Sequence, residues 1–145
     1  MSNLKVQGNA SGSGTHTLQS ADTNSTLTAT LPPATDTLGY IGAPQNSQTG
    51  STYTLVLGDQ GDHVYFNGGS TATLTVPTNA SVAFPTGTVI LVVNDNSGAL
   101  TISGAGVTFQ LANGATGNRT VATKGIATLL KVATNTWYVS GAGVT

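Results

Sequence analysis

Threonine and apolar residues alternate strictly in two segments of this chain, STLTATLP (25–32) and STATLTVP (70–77). A period of two is that of a β-strand with one buried face, so these segments restrict the fold more than any other feature. Each segment ends in proline, which cannot donate a hydrogen bond to a strand ladder. The expected buried positions are Leu27, Ala29, Leu31, Ala72, Leu74 and Val76.

The composition supports a β-rich chain and argues against catalysis. Threonine, which is β-branched and suits strands, fills 26 of the 145 positions, and glutamate is absent. Charged residues make up 6% of the chain, whereas ordinary domains contain about 25%. With a net charge of −1 and no basic cluster, the chain lacks the electrostatic footprint of a nucleic-acid-binding protein. We therefore expect a structural or binding protein, not an enzyme, with much of its surface covered by neighbours.

Strand and turn signals recur along the chain at the spacing of a sandwich or barrel. No segment has the 3.6-residue period and the caps of a helix. The sequence predicts an all-β fold, an antiparallel β-sandwich or compact barrel of about ten strands, with an extended N-terminal arm. The predicted organisation is an arm over residues 1–14 and a single β domain over 15–145, with a sub-boundary near 43–50 as the alternative.

Two segments carry sharper structural predictions. The run TVILVV (88–93) is apolar at every second position on both faces, which predicts the most buried strand of the fold. Leu91→Asp is therefore expected to unfold the domain. The Asn-Gly step in NGGS (67–70) predicts a tight hairpin between the strands on either side of it.

Two kinds of internal repeat are present. The threonine-rich segments share one pattern 45 residues apart, and SGAGVT occurs at 103–108 and, 37 residues later, at 140–145. Either duplication of a hairpin unit or convergence in a chain rich in Thr and Gly explains them. Because the two spacings differ, the chain is not a regular solenoid.

Candidate catalytic and metal sites are weak. Asp59, Asp62 and His63 lie together in DQGDH, but three side chains at a turn are fewer than a Ca²⁺ or structural Zn²⁺ site requires. A glycosidase would need two carboxylates facing each other across a cleft. All five aspartates lie in predicted turns or loops, where this residue is common: Asp22, Asp36, Asp59, Asp62 and Asp95. We expect no catalytic residue, metal or cofactor.

Aromatic residues and one loop are candidates for ligand contact. Trp137 and Tyr138 lie in the last predicted strand, where exposed rings would stack on sugars and buried rings would fill the core. Core packing is the favoured interpretation for Trp137, which shares a strand face with Val139. Residues 112–120 form the longest predicted exposed loop.

The N-terminal residues 1–14 are polar, with Leu4 and Val6 as the only apolar anchors. They would form either an edge strand of their own domain or an arm that pairs with a neighbouring subunit. The predicted partner-binding residues are Leu4, Lys5 and Val6 of this arm, together with Tyr40. The chain contains no cysteine, no apolar stretch typical of a signal peptide, and no run near the roughly 20 residues that span a membrane. We expect synthesis in the host cytoplasm and no membrane insertion.

Several segments, taken in order, resemble a β domain that recurs in bacteriophage virion proteins. They are YTLVLGDQGDHVYFN (53–67), TLTVPTNASVAFPTGT (73–88), TISGAGVT (101–108) and ATLLKVATNTWYVSG (127–141). The N-terminal stretches LKVQGNASGSGT (4–15) and TATLPPATDTL (28–38) are similar to parts of phage tail-fibre and neck proteins. The resemblance covers most of the chain.

The resemblance implies a structural role in a virion, as a fibre, a tail appendage or a head decoration, and it carries over no catalytic or metal residue. The chain lacks a coiled-coil or collagen-like shaft, which favours a capsid decoration (cement) protein on the outer capsid surface. Its partners would be the major capsid protein and other copies of itself, as a trimer. The alternatives are a tail-fibre module that recognises host glycans and, less favoured, a cellular adhesin or carbohydrate-binding module.

Overall fold

The computed structural model describes residues 42–145. The arm (1–14) and the first threonine-rich segment lie outside the described residues. The regular structure of the described part is almost entirely β, with two single 3₁₀ turns, Leu57–Asp59 and Ala112–Gly114, as its helical segments. Its strands are β1 (Gln45–Gln48), β2 (Thr52–Thr54), β3 (His63–Phe66), β4 (Ala72–Thr75), β5 (Val89–Asn94), β6 (Leu100–Ser103), β7 (Thr108–Gln110), β8 (Arg119–Val121), β9 (Ile126–Ala133) and β10 (Thr136–Ser140).

These ten strands form two mixed sheets. One has six strands in the order β1-β3-β5-β9-β10-β7, and the other has four in the order β2-β4-β6-β8. The β-rich class predicted from the sequence is confirmed, but the antiparallel arrangement is not. Only the β5–β9, β9–β10 and β6–β8 pairs are antiparallel, and the other pairings in both sheets are parallel.

Successive strands from β1 to β6 alternate between the two sheets, which explains the parallel pairing. Parallel neighbours need a crossover connection, and here each crossover runs through a strand of the opposite sheet. The chain thus winds through three coils that stack on one another. Gln45 lies opposite His63, which lies opposite Leu91, so the second coil is longer than the first. This unequal length accounts for the absence of a regular sequence period.

The hairpin predicted at NGGS (67–70) is wrong. The strand before it, β3, belongs to the six-stranded sheet, and the strand after it, β4, belongs to the four-stranded sheet. The bend therefore carries the chain across the core and does not fold it back on itself. The last two strands do form a hairpin, since β9 and β10 pair antiparallel through Thr134 and Asn135.

One hydrophobic core receives side chains from both sheets. Alternate residues of the strands point inward, as the period-two pattern requires, and Ala72, Leu74 and Val76 are buried as predicted. Trp137 is 1% exposed and packs edge-to-face on Phe84, with ring centroids 5.6 Å apart. The largest fully buried side chains are Trp137, Phe66, Phe109, Leu55, Leu74, Ile90, Leu100, Ile102, Leu129, Val64, Val76 and Val92.

Strand β5 is central in its sheet, but only one of its faces is buried. Ile90 and Val92 are fully buried, whereas Val89 is exposed and Leu91 is half-buried. The prediction that both faces are shielded is therefore wrong, because no layer of described residues covers the outer face of this sheet.

The repeated hexapeptide SGAGVT forms the same turn at both of its positions. In each copy the serine ends a strand, and the valine N–H donates to the carbonyl of the first glycine, at 3.2 Å for Val107 and 3.4 Å for Val144. The second glycine, Gly106 or Gly143, has φ of +74° or +83°, which a type II turn requires at this position. A side chain on the first glycine would strike a carbonyl oxygen of a neighbouring segment. The repeat thus has one physical role, whatever its origin.

Candidate functional site

The outer side of the six-stranded sheet carries a contiguous apolar surface. Val89 lies directly opposite Leu130, and Leu130 directly opposite Tyr138, which makes one row across β5, β9 and β10. These three side chains are 41%, 38% and 54% exposed. We call this surface the apolar face; its members are Val89, Leu91, Val93, Ile126, Leu130, Val132 and Tyr138. Exposed apolar surface of this continuity is typical of an interaction site.

The outer side of the four-stranded sheet is instead covered with hydroxyl groups. One row across β2, β4, β6 and β8 consists of threonine alone: Thr52, Thr73, Thr101 and Thr120. A second row contains Thr54, Thr75 and Ser103. We call this surface the threonine face. Neighbouring members of a row are about 4.8 Å apart along the hydrogen-bonding direction, and the β-branched side chains have few rotamers, so the hydroxyls form a regular and rigid array.

A shallow depression of about 370 Å³ lies on the threonine face. It is lined by Ser51, Thr52, Thr71, Ala72, Thr73 and Thr101. The lining offers hydroxyl donors and acceptors without any charge, so the depression suits a neutral polar group better than an ion.

Several of the few charged residues point into the protein and away from both faces. Asp59, Arg119 and Lys131 are 2%, 6% and 2% exposed. The Lys131 ammonium donates to the Phe84 carbonyl at 2.6 Å and to the Asn79 side-chain oxygen. Because Lys131 alternates with Leu130 in β9, the strand exposes its apolar residue and buries its charge. The result is two sheet faces without a charged side chain among the described strand residues.

The D-Q-G-D-H segment forms a turn that hydrogen bonds to Asp59 hold in place. The Asp59 carboxylate accepts hydrogen bonds from Asn46 Nδ2 at 2.7 Å, the Tyr53 hydroxyl at 3.1 Å and the Val56 amide at 2.8 Å. Burial raises the pKa of Tyr53, and the Asp59 carboxylate adds to this increase. Both ring nitrogens of His63 are within hydrogen-bond distance of other atoms, the Ala43 carbonyl and Gln45 Oε1. Within residues 42–145 no three potential metal ligands of the His, Cys, Asp and Glu types come together.

Charged groups meet at one exposed corner, where Asp95 accepts hydrogen bonds from Lys124 and from the Tyr65 hydroxyl. The hydrogen bond from Lys124, followed by that from Tyr65, lowers the pKa of Asp95. The same bond to Asp95 raises the pKa of Tyr65. The Lys124 side chain is 68% exposed, so this cluster lies in solvent and lacks the enclosure of an active site.

The predicted partner-binding residues Leu4, Lys5, Val6 and Tyr40 lie outside the described residues, as do Asp22 and Asp36. Asp59 and Asp95 have separate partners, and they do not form a carboxylate pair. Residues 114–118 of the predicted loop are exposed, whereas Arg119 is buried in β8. Sequence reasoning missed both sheet faces. In the sequence, both faces are indicated by the residues at the alternate strand positions that point away from the core.

No protein-family model matches the chain, and no curated protein is significantly similar to it. In the described residues no helix has the length and apolar character that crossing a membrane would require.

Proposed function

We propose that the chain is a structural protein of a bacteriophage virion, and more specifically a capsid decoration protein on the outer surface of the head. The observation that carries this proposal is the placement of charge. Asp59, Arg119 and Lys131 are buried, while the outward-facing strand residues of the two sheets carry apolar, hydroxyl, amide and imidazole groups and include no Asp, Lys or Arg. A protein that acts by adhering needs such surfaces, whereas one that transforms a ligand needs acids and bases around a cleft. The resemblance to virion β domains supports the same conclusion.

The apolar face supplies the affinity in this proposal. Burial of one large apolar side chain contributes about 1.5–3 kcal/mol when it was fully exposed before. Val89, Ile126, Leu130 and Tyr138 are each between 38% and 54% exposed, so each contributes a part of that value. Association itself costs several kcal/mol, and the remaining affinity comes from further contacts between neighbouring copies.

The proposed partners are the major capsid protein and other copies of the chain, assembled as a trimer. A decoration protein stabilises the head by bridging neighbouring capsid subunits. Residues 1–14 are the proposed arm, which adds to a strand of the capsid protein through main-chain hydrogen bonds. Leu4 and Val6 are its anchors, on a polar segment that otherwise has little apolar surface.

Deletion of residues 1–14 tests the arm. The truncated chain should keep its far-UV circular dichroism spectrum and its melting temperature, because the core over residues 42–145 is unchanged, but it should no longer occupy capsids. Normal occupancy of the capsid by the truncated chain would contradict this part of the proposal.

The depression on the threonine face favours a second candidate, a tail-fibre module that recognises a host glycan. Its volume of about 370 Å³ falls within the range of ligand sites, and its hydroxyl lining matches a neutral sugar. Copy number separates the two candidates, because a decoration protein is present in hundreds of copies on the head and a fibre in a few copies at the tail. Binding to a glycan array that is lost in Thr73→Val would favour the fibre.

A further inference from the structure

The side chain of Arg119 is buried between the two sheets. Arg119 lies opposite Ile102 in the ladder between β6 and β8, and it alternates with Val121, which like Ile102 is fully buried. Only 6% of its surface is exposed. The strand therefore directs a permanent positive charge toward an apolar core.

Two donors of this guanidinium have no acceptor among residues 42–145. Nε and Nη2 are fully buried and make no hydrogen bond. Lys131, the other buried cation, differs because its ammonium donates to the Phe84 carbonyl and to Asn79. A buried charge is stable only when it is paired, and an arginine cannot escape the cost by losing its proton. Arg119 thus lacks an anion.

The missing group can be identified from the donor geometry. Nε–H and Nη2–H lie on the same edge of the planar guanidinium and point in parallel, which matches the two oxygens of a carboxylate. The only ion pair among residues 42–145 joins Lys124 to Asp95, and Asp59 accepts its hydrogen bonds from neutral groups around β2. The described residues therefore supply no carboxylate to Arg119.

We propose that Arg119 is the anchor of a carboxylate-binding site. The two oxygens of the carboxylate accept the Nε and Nη2 hydrogens side by side. The occupant is the carboxylate of a bound molecule.

Side-chain NMR tests the site directly, because Arg119 is the only arginine of the chain and its Nε–Hε group gives a single arginine cross-peak. Sodium acetate is titrated into the ¹⁵N-labelled full chain, with sodium chloride at the same ionic strength as the control. The site predicts a saturable downfield shift with acetate that chloride does not produce.

A saturable shift with acetate indicates a site that accepts an external carboxylate. The absence of an acetate-specific shift overturns the proposal.

A second measurement does not depend on the spectrum. Acetate should raise the melting temperature of the wild-type chain. Arg119→Lys keeps the positive charge but lacks the paired Nε–H and Nη2–H donors, so this substitution should abolish the increase. Lys124→Ala is the matched control, since it removes an exposed cation and should leave the acetate effect intact. An increase that survives in Arg119→Lys contradicts the site.

Discussion

At the scale of single residues, buried polar groups hold the coils together. Asn94 is fully buried at the end of β5, and its amide donates to the carbonyls of Gly98, Val121 and Ala122 at 3.0 to 3.1 Å. Its oxygen accepts from the Asn96 amide at 3.2 Å. One side chain thus joins the turn after β5 to the end of β8, in the other sheet. The sequence placed Asn94 beside a turn, but its contacts depend on the fold.

Asn94→Ala should lower the free energy of unfolding by about 2–3 kcal/mol, because it removes the hydrogen bonds that this fully buried side chain makes to three carbonyls. Urea denaturation measures the change. Asn118→Ala is the matched control at an exposed position, where an effect within about 0.5 kcal/mol is expected. Equal stability of the two variants would contradict the role of Asn94.

The Asp95 cluster predicts a pH dependence whose sign follows from its lowered pKa. A carboxylate with a folded-state pKa below its unfolded value stabilises the protein above the unfolded pKa, and this stabilisation is lost as pH falls through the folded pKa. Asp95→Asn should therefore flatten the decline in melting temperature between about pH 5 and pH 2. The effect should be small and should weaken in salt, because Lys124 is largely exposed. An unchanged pH profile would contradict the lowered pKa.

At the scale of elements, β5 shows what alternation can and cannot predict. The period of two correctly predicted a strand, but it could not tell a strand covered on both sides from one with an apolar outer face. Strand direction was missed for a related reason: alternation shows which side chains face inward, not which strands are neighbours. The turn at NGGS has the residues of a hairpin, but the crossover to the other sheet decides its role.

Two substitutions in β5 separate its faces. Val92→Asp places an unpaired charge in the core and should cost more than about 4 kcal/mol, which unfolds the domain. Leu91→Asp, which the sequence alone predicted to unfold the domain, should cost about 1 kcal/mol because this side chain points to the apolar face. Circular dichroism and thermal melting distinguish the two. Unfolding of both variants would mean that the outer face is also covered.

The SGAGVT turns predict that alanine in place of their first glycine destabilises the protein. A methyl group on Gly104 would lie 2.4 Å from the Val76 carbonyl oxygen, and one on Gly141 would lie 2.0 Å from that of Ile126. Gly104→Ala and Gly141→Ala should each cost about 2 kcal/mol or more, because a backbone segment must move. Gly58→Ala, with open space around it, should be neutral or slightly stabilising. Thermal melting of the three variants checks this order, which an equal loss in all three would contradict.

At the scale of the whole molecule, two sheets with uncharged outer faces share one hydrophobic core. Composition made an adhesive protein the expected class, and the core position of Trp137 also followed from the sequence. The apolar and threonine faces did not, because each combines residues from distant segments that only the pairing of strands in the sheets brings into register. Leu130 and Tyr138, for example, lie in one row with Val89, which is far away in sequence.

The most direct test is the amount of chain bound to purified phage particles, measured by quantitative mass spectrometry after sedimentation. The wild-type chain is compared with a Leu130→Lys/Tyr138→Lys variant, and Thr116→Lys in the exposed loop serves as the control. The account predicts hundreds of wild-type and control copies per particle and loss of the double variant, with all three proteins folded. Absence of the wild-type chain from particles, or undiminished binding of the double variant, would contradict it.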